Sequence, residues 1–129
     1  MEKTIFKDYV ITVSDEDGDV SKATWKGARK HWRVTVKKDG KQVSYNFYGG
    51  SMANCKPLEA FESYISDAFA YMDAHDFFDF CDEFGYEPNR ESKRIHHLCE
   101  LSYYKLRKFV GSDDDISNLG NDIREELGW

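Results

Sequence analysis

The stretch that decides the fold is HWRVTVKKDGKQVSYNFYGG, residues 31–50, in which two alternating runs flank the pair Asp39-Gly40. An Asp-Gly pair between alternating runs favours a type I′ turn, so the segment reads as a β-hairpin. Trp32, Val34 and Val36 share one face of its first strand, and Arg33, Thr35 and Lys37 share the other. One face is therefore buried and the other wet and basic. In the second strand Val43, Tyr45 and Phe47 share a face.

Working outward towards the N-terminus, Thr4 to Val13 (TIFKDYVITV) is rich in β-branched and aromatic residues and predicts a third strand. Residues 14–27 are polar, charged and glycine-containing, which predicts a mobile loop. Asp15, Asp17 and Asp19 have the alternate spacing of a calcium loop, but its Gly falls early and no Glu stands at the twelfth position.

Towards the C-terminus the period changes from two to about 3.6. Pro57 suits the first position of a helix, and Leu58, Phe61, Ile65, Ala68, Phe69 and Met72 follow as an apolar stripe. After a break near residues 73–76, Phe77, Phe80, Cys81 and Phe84 form a second stripe that ends at Gly85, and this helix is expected to lie on the sheet. A third helix is predicted from Asn89 to Val110, with Ile95, Leu98, Cys99, Leu106 and Phe109 on one side, and Gly111 ends it. Ser112 or Asp113 then caps a short last helix carrying Ile116, Leu119, Ile123 and Leu127. The expected fold is one α+β domain over residues 1–129, a three-stranded antiparallel sheet packed on one face by three to four C-terminal helices.

At 129 residues the chain suits one domain with a sizeable core. Aromatic residues make up 16%, so the chain should fold although 33% of it is charged. No window approaches a membrane span and MEKTIF lacks the apolar run of a secretory signal, which predicts a cytoplasmic protein. Cys55, Cys81 and Cys99 are odd in number and irregular in spacing, as suits reduced, buried thiols.

The net charge of −6 hides a division. Residues 1–56 hold eleven Lys or Arg against seven Asp or Glu, whereas residues 57–129 hold seven against seventeen. Ten acids and a single base fall between Glu59 and Glu91. Asp73, Asp76, Asp79, Asp82 or Glu83, and Glu87 recur every three to four residues, so each turn of a helix presents a carboxylate on the same side. Such a strip is a sparse imitation of a phosphate backbone and favours partners that themselves bind nucleic acid. The alternative reading uses the basic half, where Lys22, Lys26, Arg29, Lys30 and Arg33 lie among Trp25 and Trp32, as a direct nucleic-acid surface. A third reading is an assembly factor that dimerises through Tyr103 and Tyr104.

Catalysis has little support. There is no nucleophile elbow, no phosphate-cradling glycine loop with its Lys and no HExxH. His96, His97 and Cys99 are the best metal candidates, yet adjacent helical residues lie about 100° apart and do not chelate one ion together. No metal or cofactor is expected.

The residues HWRVTV, the Tyr48-Gly49 step, Ser66-Asp67-Ala68, FFDFCDEFGYE and a following helix with a Cys form a pattern that resembles a group of small bacteriophage and mobile-element accessory proteins. That group shares a tryptophan-containing strand and a Phe-x-x-Trp-Cys run leading into Gly-Tyr-Asp. The likeness spans Trp32 to Phe109. Phe77, Cys81, Gly85 and Tyr86 match, Phe80 stands for the Trp and Glu87 for the Asp, and the acidic-Ser step is displaced to Glu91-Ser92. The resemblance implies a phage accessory protein in the bacterial host cytoplasm, of the kind that inhibits a host defence nuclease or its nucleoprotein complex without catalysis, as anti-CRISPR proteins do by occluding a DNA-binding channel.

Overall fold

The computed structural model describes residues 2–16, 20–23, 27–49 and 56–129. Its order is β1 (Glu2–Phe6), β2 (Tyr9–Asp15), β3 (Lys30–Lys38), β4 (Lys41–Gly49), α1 (Pro57–Asp73), α2 (Phe77–Phe84), α3 (Arg90–Val110) and α4 (Asp113–Leu127). The strands form one antiparallel meander, β1-β2-β3-β4. The fold is α+β, with four strands where the sequence predicts three.

The difference lies in Thr4 to Val13, which folds back on itself at Lys7-Asp8, with Lys7 at φ 52°. Phe6 and Tyr9 explain the fold-back. In one continuous strand an odd separation sets them on opposite faces. In the hairpin they are direct partners on the core face, where Tyr9 is buried and Phe6 packs against the core. The predicted hairpin at Asp39-Gly40 forms as expected, both residues lying at positive φ (52° and 76°), with Trp32 opposite Phe47, Val34 opposite Tyr45 and Val36 opposite Val43.

Ile11, Val13, Trp32, Val34 and Val36 are buried on the inner face, and α1 lies across them. α1 also packs against α3 and α4, so it is covered on more than one side. This is why Ala60, Glu62, Tyr64 and Tyr71 are buried along with the predicted Phe61 and Ile65, while Leu58, Phe69 and Met72 sit at the edge. Tyr9 packs edge-on to Phe61, and Tyr45 stacks on Tyr64 with ring centres 4.6 Å apart. Such ring pairs are worth about 0.5–1.5 kcal/mol beyond their area.

Helix ends follow local chemistry. Pro57 opens α1, and the Ser112 hydroxyl accepts from Asp115 N at the start of α4. Asn89 and Ser92 form a reciprocal capping box on α3, each side chain bonding the other's backbone N–H at 2.9–3.0 Å. Segment 14–27, predicted as a mobile loop, contributes Ser14 and Asp15 to β2, and Ala23 is buried with its carbonyl accepting from Arg94 Nη2 at 2.8 Å. The described part of this segment is thus anchored on α3. None of the described helices is long and apolar enough to cross a membrane.

Candidate functional site

The acidic candidates fall on three structural elements rather than one helical face. Asp73 is the last residue of α1, Asp79, Asp82 and Glu83 lie on α2, and Glu87 follows it. Asp76 is the α2 N-cap, its Oδ2 accepting from Phe78 N at 3.0 Å and Asp79 N at 3.1 Å. Its residue type is therefore accounted for by helix initiation. At the other end Gly85 takes the left-handed conformation, φ 74°, and Tyr86 N bonds back to Cys81 O at 2.9 Å. The strip is interrupted where the cap and the left-handed residue stop the helix.

All six acids are exposed, and none has an ion-pair partner among the described residues. The expected apolar stripe of α2 is only half buried: Phe80 and Cys81 are buried, Phe77 is partly so, and Phe84 is 41% exposed. Phe78 is 65% exposed, and Tyr86 is exposed beside them. α2 does not lie on the sheet as expected. It packs on α3 and α1, chiefly through the ring of Phe80 against His96, ring centres 4.9 Å apart. An eight-residue helix held along one side by two helices turns more of its circumference to water than one covered by the sheet and two helices, as α1 is. Acids and aromatic rings consequently share one outer surface.

Among the basic candidates, Lys22 and Arg29 are exposed, while Trp25 and Lys26 lie outside the described residues. Lys30 stands 3.5 Å from Asp15 and over the Trp32 ring, and Arg33 stands 3.5 Å from Glu16. Exposed pairs of this kind are weak, but together they offset two of the four positive charges that β3 offers a phosphate. Arg29 lines the same cleft as Glu87, so the two candidate surfaces meet there.

The metal candidates are dispersed. His96 is buried, its Nε2 2.9 Å from the His75 carbonyl, while His97 is exposed, its Nδ1 3.1 Å from Glu100 Oε1. Cys99 is buried, and burial followed by the nearby Asp67 pushes its thiol up to about 12. A protonated thiol is neither a nucleophile nor a ligand. Cys55 lies outside the described residues, and among those described no three His, Cys, Asp or Glu side chains are grouped to hold a metal. Tyr103 is buried and donates to Asp113 Oδ1 at 2.6 Å, which removes it from the predicted dimer face, while Tyr104 remains exposed.

Sequence periodicity missed one acid altogether. Asp67 accepts a short hydrogen bond from the Tyr45 hydroxyl between α1 and β4. Burial raises its carboxyl to about 6, the Tyr45 bond opposes this, and Glu62 adds to it. Burial and Asp67 in turn raise the Tyr45 phenol, so the phenol remains the donor. The only signal for this pair in the sequence is a polar residue beside the stripe of α1.

No protein-family model, curated protein or solved structure matches the chain.

Proposed function

We propose that this protein is a phage-encoded, non-enzymatic inhibitor that binds a host defence nuclease, or its nucleoprotein complex, through the acidic and aromatic surface of α2. The observation that carries this reading is the set Asp79, Asp82, Glu83 and Glu87, exposed and without ion-pair partners among the described residues, beside exposed Phe78 and Phe84. Unpaired carboxylates suit a basic, phosphate-binding groove, where they steer encounter and set register. Two exposed rings supply the apolar anchor that charge alone lacks. The phage origin and the anti-CRISPR-like role rest on the resemblance over Trp32 to Phe109. Direct nucleic-acid binding through Lys30 and Arg33 is the weaker reading, because both have carboxylate neighbours in the fold.

The test compares capture from nuclease-treated bacterial lysate by the wild-type protein and by Asp79→Asn/Asp82→Asn/Glu83→Gln/Glu87→Gln. The expected result is one nucleic-acid-binding protein retained by the wild type, eluted by salt, absent with the variant, and blocked from its own nucleic acid when bound. Equal capture by a folded variant would reject the acidic surface as the site.

A further inference from the structure

β4 is one edge of the sheet, and its pairing with β3 runs without a break from Lys38 and Lys41 to Lys30 and Gly49. Beside a two-residue hairpin turn the first pair is hydrogen-bonded, and such pairs alternate along the ladder with pairs whose backbone groups point away. Starting from Lys38 and Lys41, the backbone groups of Gln42, Ser44 and Asn46 therefore point away from β3. The bond from Glu16 N to His31 O, 3.0 Å, agrees with this alternation, because it turns the backbone of His31 towards β2. The side chains of Ser44 and Asn46 are engaged on the outer face: Ser44 Oγ lies 3.3 Å from Thr35 Oγ1, and Asn46 Oδ1 lies 2.9 Å from His31 Nε2. Their outward backbone groups have no partner among the described residues.

Edge strands are ordinarily blunted by proline, a bulge, a charge or short length. From Gln42 to Phe47 β4 has no proline, no bulge and no charge, and it is nine residues long against five for the other edge, β1. α3 runs alongside it. Leu98, Leu101, Lys105 and Lys108, at i, i+3, i+7 and i+10, form one line along α3 and border two hollows whose other wall is β4 between Lys41 and Tyr48. The hollow beside Lys41 and Ser44 holds about 630 Å³, against about 120 Å³ where Tyr45 and Tyr64 stack on each other. An occupant therefore lies along the strand and does not enter between the rings.

Charge selects the occupant. Lys41, Lys105 and Lys108 border the wider hollow and Lys22 the narrower; all four are exposed, and none has an ion-pair partner among the described residues. The carboxylate of the narrower hollow, Asp67, is engaged by the Tyr45 hydroxyl. A second copy paired edge to edge through Ser44 would set its Lys105 near the first copy's, since Lys105 borders both hollows beside Ser44. A nucleic-acid strand would satisfy the lysines but has no repeat of N–H and C=O groups to continue the ladder. We propose that β4 and α3 form a peptide-binding groove, in which an extended acidic segment of another protein adds an antiparallel strand to β4. Its backbone bonds Gln42, Ser44 and Asn46. At alternate positions its apolar side chains lie on Leu98 and Leu101, and its carboxylates, further along, meet Lys105, Lys108 and Lys41. The groove uses none of the residues of the acidic surface of α2 and is independent of that reading.

The test is titration calorimetry of the full chain at low salt with the end-blocked octapeptide valine-threonine-valine-threonine-glutamate-threonine-glutamate-threonine. Three controls accompany it: lysine in place of both glutamates, N-methylation of the threonines, whose N–H groups would face β4, and N-methylation of the other four residues. The parent peptide and the last control are expected to bind, more weakly as salt rises, and the other two are not. Lys105→Gln/Lys108→Gln should weaken binding about fivefold, the sum of two exposed charge pairs. Ser44→Pro removes one outward N–H and keeps the bonds to β3, as an edge strand allows, and should weaken binding about tenfold or more. The lysines are exposed, so their variant keeps the test open if Ser44→Pro does not fold. No binding at about 1 mM peptide, equal binding of the lysine or threonine-methylated peptide, or indifference to the lysine variant would overturn the proposal. So would a concentration-dependent dimer lost in Ser44→Pro, which makes a second copy the occupant, or oligo-dT binding more tightly than the peptide, which assigns the lysines to nucleic acid.

Discussion

Arg124 of α4 and Glu62 of α1 meet with Nε and Oε1 3.1 Å apart. Glu62 is buried, and its Oε1 also accepts from Ser66 Oγ at 2.6 Å, while Arg124 Nη2 bonds Ser66 Oγ at 3.3 Å and its guanidinium lies over the Phe69 ring. Removing the cation leaves a carboxylate buried with one neutral donor. Arg124→Met should destabilise the protein by about 2 kcal/mol, below the 3–5 of a fully buried pair because Arg124 is partly exposed. Denaturant unfolding checks this, and Glu62→Gln added to Arg124→Met should recover most of the loss. A single variant as stable as wild type would show the pair to be a surface contact only.

Where α1 and α4 approach, Gly120 lies against Phe69 and Ile65. A Cβ placed there meets Phe69 Cζ at 2.6 Å and Cε2 at 2.8 Å, with Ile65 Cγ2 at 3.0 Å. In an open helix Gly→Ala gains about 1 kcal/mol. Here overpacking, typically 1–3 kcal/mol, exceeds that gain. Gly120→Ala should therefore lower the free energy of unfolding by a net ~1 kcal/mol, measured by denaturant unfolding, and a more stable variant would mean that the Phe69 ring swings aside freely.

The Asp67–Tyr45 pair gives stability a pH dependence of unusual sign. Asp67 titrates near its ordinary 3.8 when unfolded and at about 6 in the fold. Between those values the folded state holds the extra proton, so stability falls as pH rises from about 4 to 6 and is level above. The loss is on the order of 3 kcal/mol. Subtracting the profile of Asp67→Asn from that of wild type isolates the effect from other carboxylates. A difference profile that is flat, or that rises with pH, would contradict it.

Residues 31–50 carried their meaning openly, because a β-hairpin is a local object: an Asp-Gly pair, an alternation and a length. The Pro57 start and the Ser112 cap, one of the two residues expected there, were legible for the same reason, whereas Asn89, read as the first residue of α3, is its cap. Phe6 and Tyr9 were not legible, since their shared face exists only after the chain reverses at Lys7-Asp8. Asp67 and Lys105 were hidden more deeply. Their neighbours come from β4 and α3, and no helical or strand period relates residues brought together by tertiary packing. Exposure was legible for Asp79, Asp82 and Glu83, but the sequence pattern assigned Phe84 to the interior because it assumed a helix buried along its whole apolar side.

Within the acidic segment the structure separates one carboxylate that builds the helix from three that decorate it. Asp76 accepts two backbone N–H groups at the start of α2, whereas the side chains of Asp79, Asp82 and Glu83 make no hydrogen bond or ion pair among the described residues. Asp76→Ala should therefore cost about 1 kcal/mol, the usual loss of a good N-cap, and Asp76→Asn should cost almost nothing because Asn caps equally well. Asp82→Asn/Glu83→Gln should change stability by less than about 0.5 kcal/mol. Thermal or denaturant unfolding of the three variants decides it. If Asp82→Asn/Glu83→Gln were the costly change, the outer acids would be part of the fold, and their exposure would no longer argue for a partner.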